Sequence, residues 1–321
     1  TARLFLMHYP FLQRCLELGE SGRGKVSPNP LVGCVIVVGG SVITEGWHEA
    51  FGGSHAEPMA LRKAGDLARG ATLYVNLEPC CKKGKQPPCT DAIIRAGIST
   101  VVFGARDPSN RGAKILAKHG IEVIGPIMEP ECRRQNRGFF SLLEQGRPWI
   151  TVKKAMRKDG TIIGKITSEE QNLWAHTHLR AMHDAILVGA GTVIADDPQL
   201  NVRYTNNSVP PLSLPREKNR RKEIHGEADN GVGRGGGSGG EGPRRIILDP
   251  QNKIPKNAKI LSDEDSARTL IIHEKLPIPD LLQKLKEEGI SSVLVEGGPT
   301  VWKSFEESGC IDEMIILTSS S

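Results

Sequence analysis

The sequence predicts an α/β protein of two domains, and three observations carry that prediction. Strand-like and helix-like segments alternate along the chain, which is the pattern of layered α/β folds. A length of 321 residues suggests two cores rather than one. A fresh run of alternation begins at "GRPWITVKKAM" (Gly146–Met156), which sets the expected domains at 1–145 and 146–321.

In the first half, "CVIVV" (34–38) and "SVITEGW" (41–47) read as strands joined at a Gly39–Gly40 turn. "HAEPMALRKAG" reads as a helix with Ser54 as N-cap and Gly65 as stop. "ATLYVNLEP" is a third strand, "CTDAIIRAG" a short helix and "STVVFGA" a fourth strand. "GAKILAKHGIEVIG" gives a helix and then a strand, and "EPECRRQNRGFFSLLEQG" one helix running to the boundary. In the second half the strands are "WITVKKA", "DAILVGA", "RRIILD", "RTLIIH", "SSVLVEG" and "DEMIILT". Between Tyr204 and Pro243 the chain has no periodicity and ends "GVGRGGGSGGEG". That composition cannot bury a core and reads as a disordered insertion, about 204–243, in one surface loop.

Composition narrows the function. The longest apolar stretches are strand-length, so no membrane span is expected. "TARLFLMHYP" lacks the layout of a signal peptide. The expectation is a soluble intracellular protein, in cytoplasm or plastid. Net charge is +5, but much of the excess lies in "PREKNRRK" (215–222), and aromatics make up only 4%. Both points argue against a nucleic-acid partner, while a mildly positive surface suits a phosphorylated small substrate. A homo-oligomer is left open. Of seven cysteines, Cys80, Cys81 and Cys89 lie within ten residues, which favours a metal or reactive thiols in a reducing compartment over a disulfide framework.

Those cysteines carry the chemistry. "LEPCCKKGKQPPCTDAI" (77–93) follows the third strand, and His55 lies upstream. One imidazole and two thiolates with a fourth position open are what a catalytic zinc requires. The expected ligands are His55, Cys80 and Cys89, with Cys81 a neighbour and not a ligand. Glu57, two residues after His55, is placed to take a proton from metal-activated water and deliver it to a leaving amine. Zinc deaminases use His-x-Glu followed by Pro-Cys-x-x-Cys, with the glutamate off the metal; here eight residues separate the cysteines. "KVSPNPLVGC" (25–34) puts Asn29 near strand ends, where an amide can read a ring or a ribose.

Further stretches, in order, are "SPNPLVG", "HAE", "LEPC…PPCTDAI", "NRGFF", "GRPWITVK", "DAILVGAGTVIADDPQLNVR", "RRIILD" and "LVEGGPT". Together they resemble the bifunctional riboflavin-biosynthesis deaminase-reductase family, over nearly the whole chain. The resemblance implies a cytidine-deaminase-like αβα sandwich followed by a dihydrofolate-reductase-like α/β domain. It implies zinc-dependent deamination of a diaminopyrimidinone ribosylamino 5′-phosphate, then reduction of ribosyl to ribityl with NADPH. By the same resemblance, Ala155, Thr192, Asp196, Gly298, Pro299 and Thr300 fall on cofactor-contacting positions. Arg180, Leu200, Arg203 and Glu296 fall on substrate-contacting ones, the two arginines making sense as phosphate clamps. "LVGAGT" and "VEGGPT" are glycine turns after strands that allow close approach to a phosphate or ribose, though neither is a Rossmann fingerprint.

The chain departs from the family pattern in places. Lys165 stands where a tryptophan is expected, in a loop several residues shorter, and Pro250 stands where a serine is common. Lys82 replaces a common histidine, and "ARDPSNRGAK" is shorter than the usual "DPNP" loop. The sequence stops at "DEMIILTSSS", where the family continues with a final strand pair. The departures leave the zinc ligands intact and open one competing reading, a deaminase with a vestigial reductase domain; a second, a zinc-stabilised module without catalysis, would want a fourth protein ligand.

Overall fold

The computed structural model describes residues 2–157, 166–203, 222–223 and 242–318. The chain divides into two compact units, Thr1–Gly146 and Arg147–Ser321.

The first unit is a five-stranded sheet of order β2-β1-β3-β4-β5, formed by β1 (Gly33–Val38), β2 (Ser41–Trp47), β3 (Thr72–Leu77), β4 (Thr100–Ala105) and β5 (Glu122–Ile124). β1 runs antiparallel to β2 and β3, and β3, β4 and β5 are mutually parallel. Gly39 and Gly40, both with positive φ (56° and 82°), make the two-residue hairpin turn whose twist suits its strands. β1, β3 and β4 are buried at five of their six positions, as strands covered on both faces must be. The covering helices are α1 (Ala2–Glu20), α2 (Ala56–Ala64), α3 (Cys89–Ala96), α4 (Gly112–Lys118), α5 (Glu129–Gln135) and α6 (Arg137–Glu144).

Three local expectations change. The first helix, α1, was not anticipated; its inner face is Leu12, Cys15 and Leu16, spaced as one helical stripe. The segment 129–144 is two helices, not one. The break falls at Asn136, whose side chain turns away to accept from the Leu31 amide (2.7 Å) and donate to the Leu31 carbonyl (3.0 Å). The N-cap of α2 is His55, not Ser54, and no side chain caps it.

The second unit is a seven-stranded sheet of order β10-β9-β7-β11-β6-β12-β8, in which every neighbouring pair is parallel. Its strands are β6 (Trp149–Met156), β7 (Ala185–Gly189), β8 (Lys222–Glu223), β9 (Arg244–Leu248), β10 (Thr269–Ile272), β11 (Ser292–Val295) and β12 (Glu313–Thr318). Its helices are α7 (Glu169–Trp174), α8 (Ala190–Asp196), α9 (Lys259–Ser262), α10 (Ile278–Glu287) and α11 (Pro299–Ser308). Alternate residues of the central strands feed different apolar clusters: Ala185, Leu187, Val293 and Val295 join one, and Ile186 and Val188 another. That period of two buries both faces of the sheet. Beyond α7 the helix widens into a π turn at Ala175–Leu179. The shortened loop around Lys165 and most of the expected insertion at 204–243 lie outside the described residues. Among the described residues, no helix is long and apolar enough to cross a membrane.

Candidate functional site

His55 ends an extended segment as the N-cap of α2, and Glu57 lies in that helix's first turn, 4% exposed. Cys80 follows β3, and Cys89 is the first residue of α3. Three separate element ends therefore converge. His55 Nδ1 lies 3.2 Å from Cys89 Sγ and 3.5 Å from Cys80 Sγ, and the three atoms are within 4.8 Å of one another. Tetrahedral zinc at ordinary bond lengths would separate nitrogen from sulfur by about 3.6 Å. The donor set thus fits zinc in both chemistry and spacing. Cys81 is not part of the cluster; its amide donates to Asn110 Oδ1 at 3.2 Å.

The electrostatics suit a metal as well. The Cys89 amide, at the head of α3, donates to Cys80 Sγ at 3.3 Å. The Cys89 thiol bonds Cys80, which is pushed down to about 4, while Cys89 is pushed up; the facing pair shares a proton. His55 is raised, chiefly by its bond to Cys80. Burial and then the Cys80 charge push Glu57 up to about 6.

Asn29 reaches the same region through a residue that sequence reasoning missed. His48 is buried, and burial lowers its pKa, so its ring is neutral. Its Nδ1 faces the Ser54 carbonyl at 2.9 Å and therefore donates; its Nε2 then accepts from Asn29 Nδ2 at 3.1 Å. This fixes the Asn29 amide with its oxygen turned away from His48. The His48 ring stands edge-on to His55, with centroids 5.5 Å apart. A second histidine seven residues before "HAE" was the available signal.

In the second unit, Arg180 and Glu296 come together although 116 positions apart. Arg180 Nε and Nη2 donate to the two Glu296 oxygens at 2.8 and 2.9 Å, and Nη1 donates to the Asn201 carbonyl at 2.9 Å. Lys153, on β6, adds an ion pair to Glu296 at 3.3 Å; a lysine inside "WITVKKA" was its signal. Burial alone would raise Glu296, but Lys153 and Arg180 outweigh it and hold the carboxyl at about 2. Arg180 therefore makes a bidentate pair with Glu296. The Leu200 side chain is 3% exposed and packs in the core, with the backbone at φ 52°.

Among the other expected positions, Ala155, Thr192 and Gly298 lie at or just past the carboxyl ends of the adjacent parallel strands β6, β7 and β11. Gly298 is the N-cap of α11, and a Cβ there would stand 4.0 Å from Thr192 Oγ1. Pro299 and Thr300 form the exposed first turn of α11, and Asp196 is the last, exposed residue of α8. Ala155 is half-buried on β6. Arg203 is exposed, with its amide bonded to the His176 carbonyl at 3.0 Å. Open space at Gly298, a helix N-terminus and carboxyl strand ends fit a phosphate-bearing dinucleotide.

Residues 7–105 match the family model of the cytidine and deoxycytidylate deaminase zinc-binding region, and residues 148–320 match that of the RibD C-terminal domain. The riboflavin biosynthesis protein RibD of Aquifex aeolicus is 38% identical over 337 residues, covering 96% of this chain and 85% of that relative. The chain belongs to the RibD family. The solved RibD of Acinetobacter baumannii shares the fold at a TM-score of 0.77 and 34% identity, over 97% of this chain and 86% of that one. A diaminohydroxyphosphoribosylaminopyrimidine deaminase/5-amino-6-(5-phosphoribosylamino)uracil reductase of Thermotoga maritima matches at 0.75 and 34%, over 94% and 84%. This RibD-family chain is an enzyme of riboflavin biosynthesis that joins a zinc-dependent deaminase domain to an NADPH-dependent reductase domain.

Proposed function

We propose that His55, Cys80 and Cys89 hold the zinc and that Glu57 moves the proton in deamination of a 2,5-diamino-6-ribosylamino-4(3H)-pyrimidinone 5′-phosphate. Net, water replaces an exocyclic amine and ammonia leaves. When bound, zinc supplies the Lewis acidity that makes water nucleophilic near neutral pH. Glu57, raised to about 6, takes a proton from the attacking water and returns it to the departing amine. The oxygen end of Asn29 accepts from a donor on the ring or ribose.

In the second unit the same molecule, deaminated, has its ribosyl group reduced to ribityl. NADPH supplies the hydride. Glu296 stays an anion and accepts from sugar hydroxyls, Arg180 acts by positioning it, and Arg203 clamps the phosphate. Leu200 shapes the floor from the core. Ala155, Thr192, Asp196, Gly298, Pro299 and Thr300 receive the cofactor. Seven cysteines without a disulfide support a reducing intracellular compartment.

The observation carrying the reading is the Nδ1–Sγ triangle at 3.2 and 3.5 Å. Metal analysis of the purified chain should find about one zinc in the first unit. Cys89→Ser should lose it, and unchanged zinc content there would overturn the ligand set. Glu57→Gln should keep the zinc and lose about 10²- to 10⁴-fold in deamination.

A further inference from the structure

Three buried amide side chains, Asn76, Gln135 and Asn136, meet in the first unit. Asn76 lies on β3, Gln135 ends α5, and Asn136 stands at the break before α6. Together they grip the segment that leads from Asn29 into β1. Asn136 gives both ends of its amide to one residue. Its Oδ1 accepts from the Leu31 amide at 2.7 Å, and its Nδ2 donates to the Leu31 carbonyl at 3.0 Å. Asn76 Nδ2 donates to the same carbonyl at 2.8 Å, and Asn76 Oδ1 accepts from the Gly33 amide at 3.0 Å. Gln135 braces Asn76 from behind. Its Oε1 accepts from Asn76 Nδ2 at 2.8 Å, and its Nε2 donates to the Leu16 carbonyl and to Glu20 on α1, each at 2.7 Å.

A buried amide is costly unless its groups are paired, so a connected set of three fixes one geometry and disfavours others. The geometry fixed here is not strand pairing, because Leu31 precedes β1 and lies outside both of its ladders. Two routes run from Leu31 to the deaminase site. Along the chain, Asn29 is two positions earlier, with its own amide bonded to the Val26 carbonyl at 2.8 Å. Through space, the Val32 carbonyl accepts from the His48 amide at 2.9 Å, and His48 Nε2 accepts from Asn29 Nδ2 at 3.1 Å. A shift at Leu31 therefore moves both Asn29 and the ring that orients it. On the far side the segment is pressed against α1, where a Cβ on Gly33 would stand 2.1 Å from the Cys15 carbonyl oxygen.

We propose that Asn136 is a positioning residue for deamination, holding Leu31 so that Asn29 meets the substrate's ring or ribose. The proposal rests on the deaminase reading above. Its test is steady-state deamination by the zinc-loaded full chain. Asn136→Ala should raise KM about two- to tenfold, with kcat and zinc content unchanged. In an Asn29→Ala background the same substitution should add nothing, because the group it positions is gone. If Asn136→Ala does not hold zinc, Asn136→Ser takes its place, since a hydroxyl can reach Leu31 through a water; a KM rise in the same direction is expected. An unchanged KM in the zinc-loaded variant overturns the proposal. So does a KM rise that persists in full in the Asn29→Ala background, or a fall in kcat together with zinc in both variants, which marks a purely structural role. A wild-type chain without deamination would sink the deaminase reading instead. Hydrogen exchange needs no substrate and keeps the two failures apart. In Asn136→Ala, residues 29–33 should exchange faster while β4 stays protected, and unchanged exchange there overturns the proposal whatever the activity.

Discussion

Glu57 in the first unit and Glu296 in the second are both carboxylates withdrawn from water, and the protein sends them in opposite directions. Burial raises each one first. At Glu57 the next influence is the Cys80 thiolate, and the carboxyl reaches about 6. At Glu296 the next influences are Lys153 and Arg180, and the carboxyl is held at about 2. Burial therefore does not mark a proton shuttle by itself; the sign of the nearest charge decides. A group near 6 trades protons at working pH, whereas a group near 2 remains a fixed anion that can only bind and orient.

The largest expected effect breaks the second half of that comparison. Arg180→Ala leaves Glu296 buried with Lys153 alone and should cost the second unit about 3–5 kcal/mol, the usual penalty for removing one partner of a buried pair. Hydrogen exchange read by mass spectrometry can follow β6 and β11 separately from the first unit. Protection should fall there and hold in β1 and β3. If protection is unchanged and only substrate affinity falls, Arg180 is a ligand clamp after all.

How much of this was legible in the sequence depends on how local the cause is. The strands follow from alternating apolar runs, and β1 and β2 are found at their expected positions because the hairpin is closed by its own two glycines. The cluster of His55, Cys80 and Cys89 was legible because each of the three marks the end of an element whose pattern is readable nearby. The break at Asn136 was not, because its cause is a bond to Leu31, 105 positions away. Arg180 on Glu296 was hidden for the same reason: only the pairing of β11 beside β7 and β6 brings them together. His48 was overlooked because a lone histidine carries no signal until Asn29 and Ser54 are seen on either side of its ring.

The pH dependence sharpens the comparison with a smaller effect. On folding, Glu57 rises from 4.5 to about 6, so the folded state holds that proton more tightly. In the zinc-stripped chain, the first unit's stability measured against Glu57→Gln, a difference in which the opposing slope from Cys80 cancels, should fall by about 2 kcal/mol as pH climbs from 4.5 to 6. Glu296 falls from 4.5 to about 2, so its contribution is present above 4.5. About 3 kcal/mol of the second unit's stability should be lost as pH drops from 4.5 to 2. Glu57→Gln and Glu296→Gln should each remove their own residue's contribution to that slope. Slopes of the same sign in the two windows would contradict the account.

The smallest effect tests how the first site is oriented. His48 touches no reacting atom in this reading; it holds the Asn29 amide so that oxygen, not nitrogen, faces the substrate. His48→Phe removes that bond and the one to Ser54 while keeping a flat ring. One hydrogen bond is worth about 0.5–1.5 kcal/mol, so KM for deamination should rise about two- to tenfold. Zinc content and kcat should change little, because His55 and Glu57 do not depend on that amide. His48→Gln can still donate to the Ser54 carbonyl and accept from Asn29, and should recover part of the KM. If His48→Phe lowered kcat together with zinc content, His48 would be supporting His55, whose ring it meets edge-on, instead of orienting Asn29.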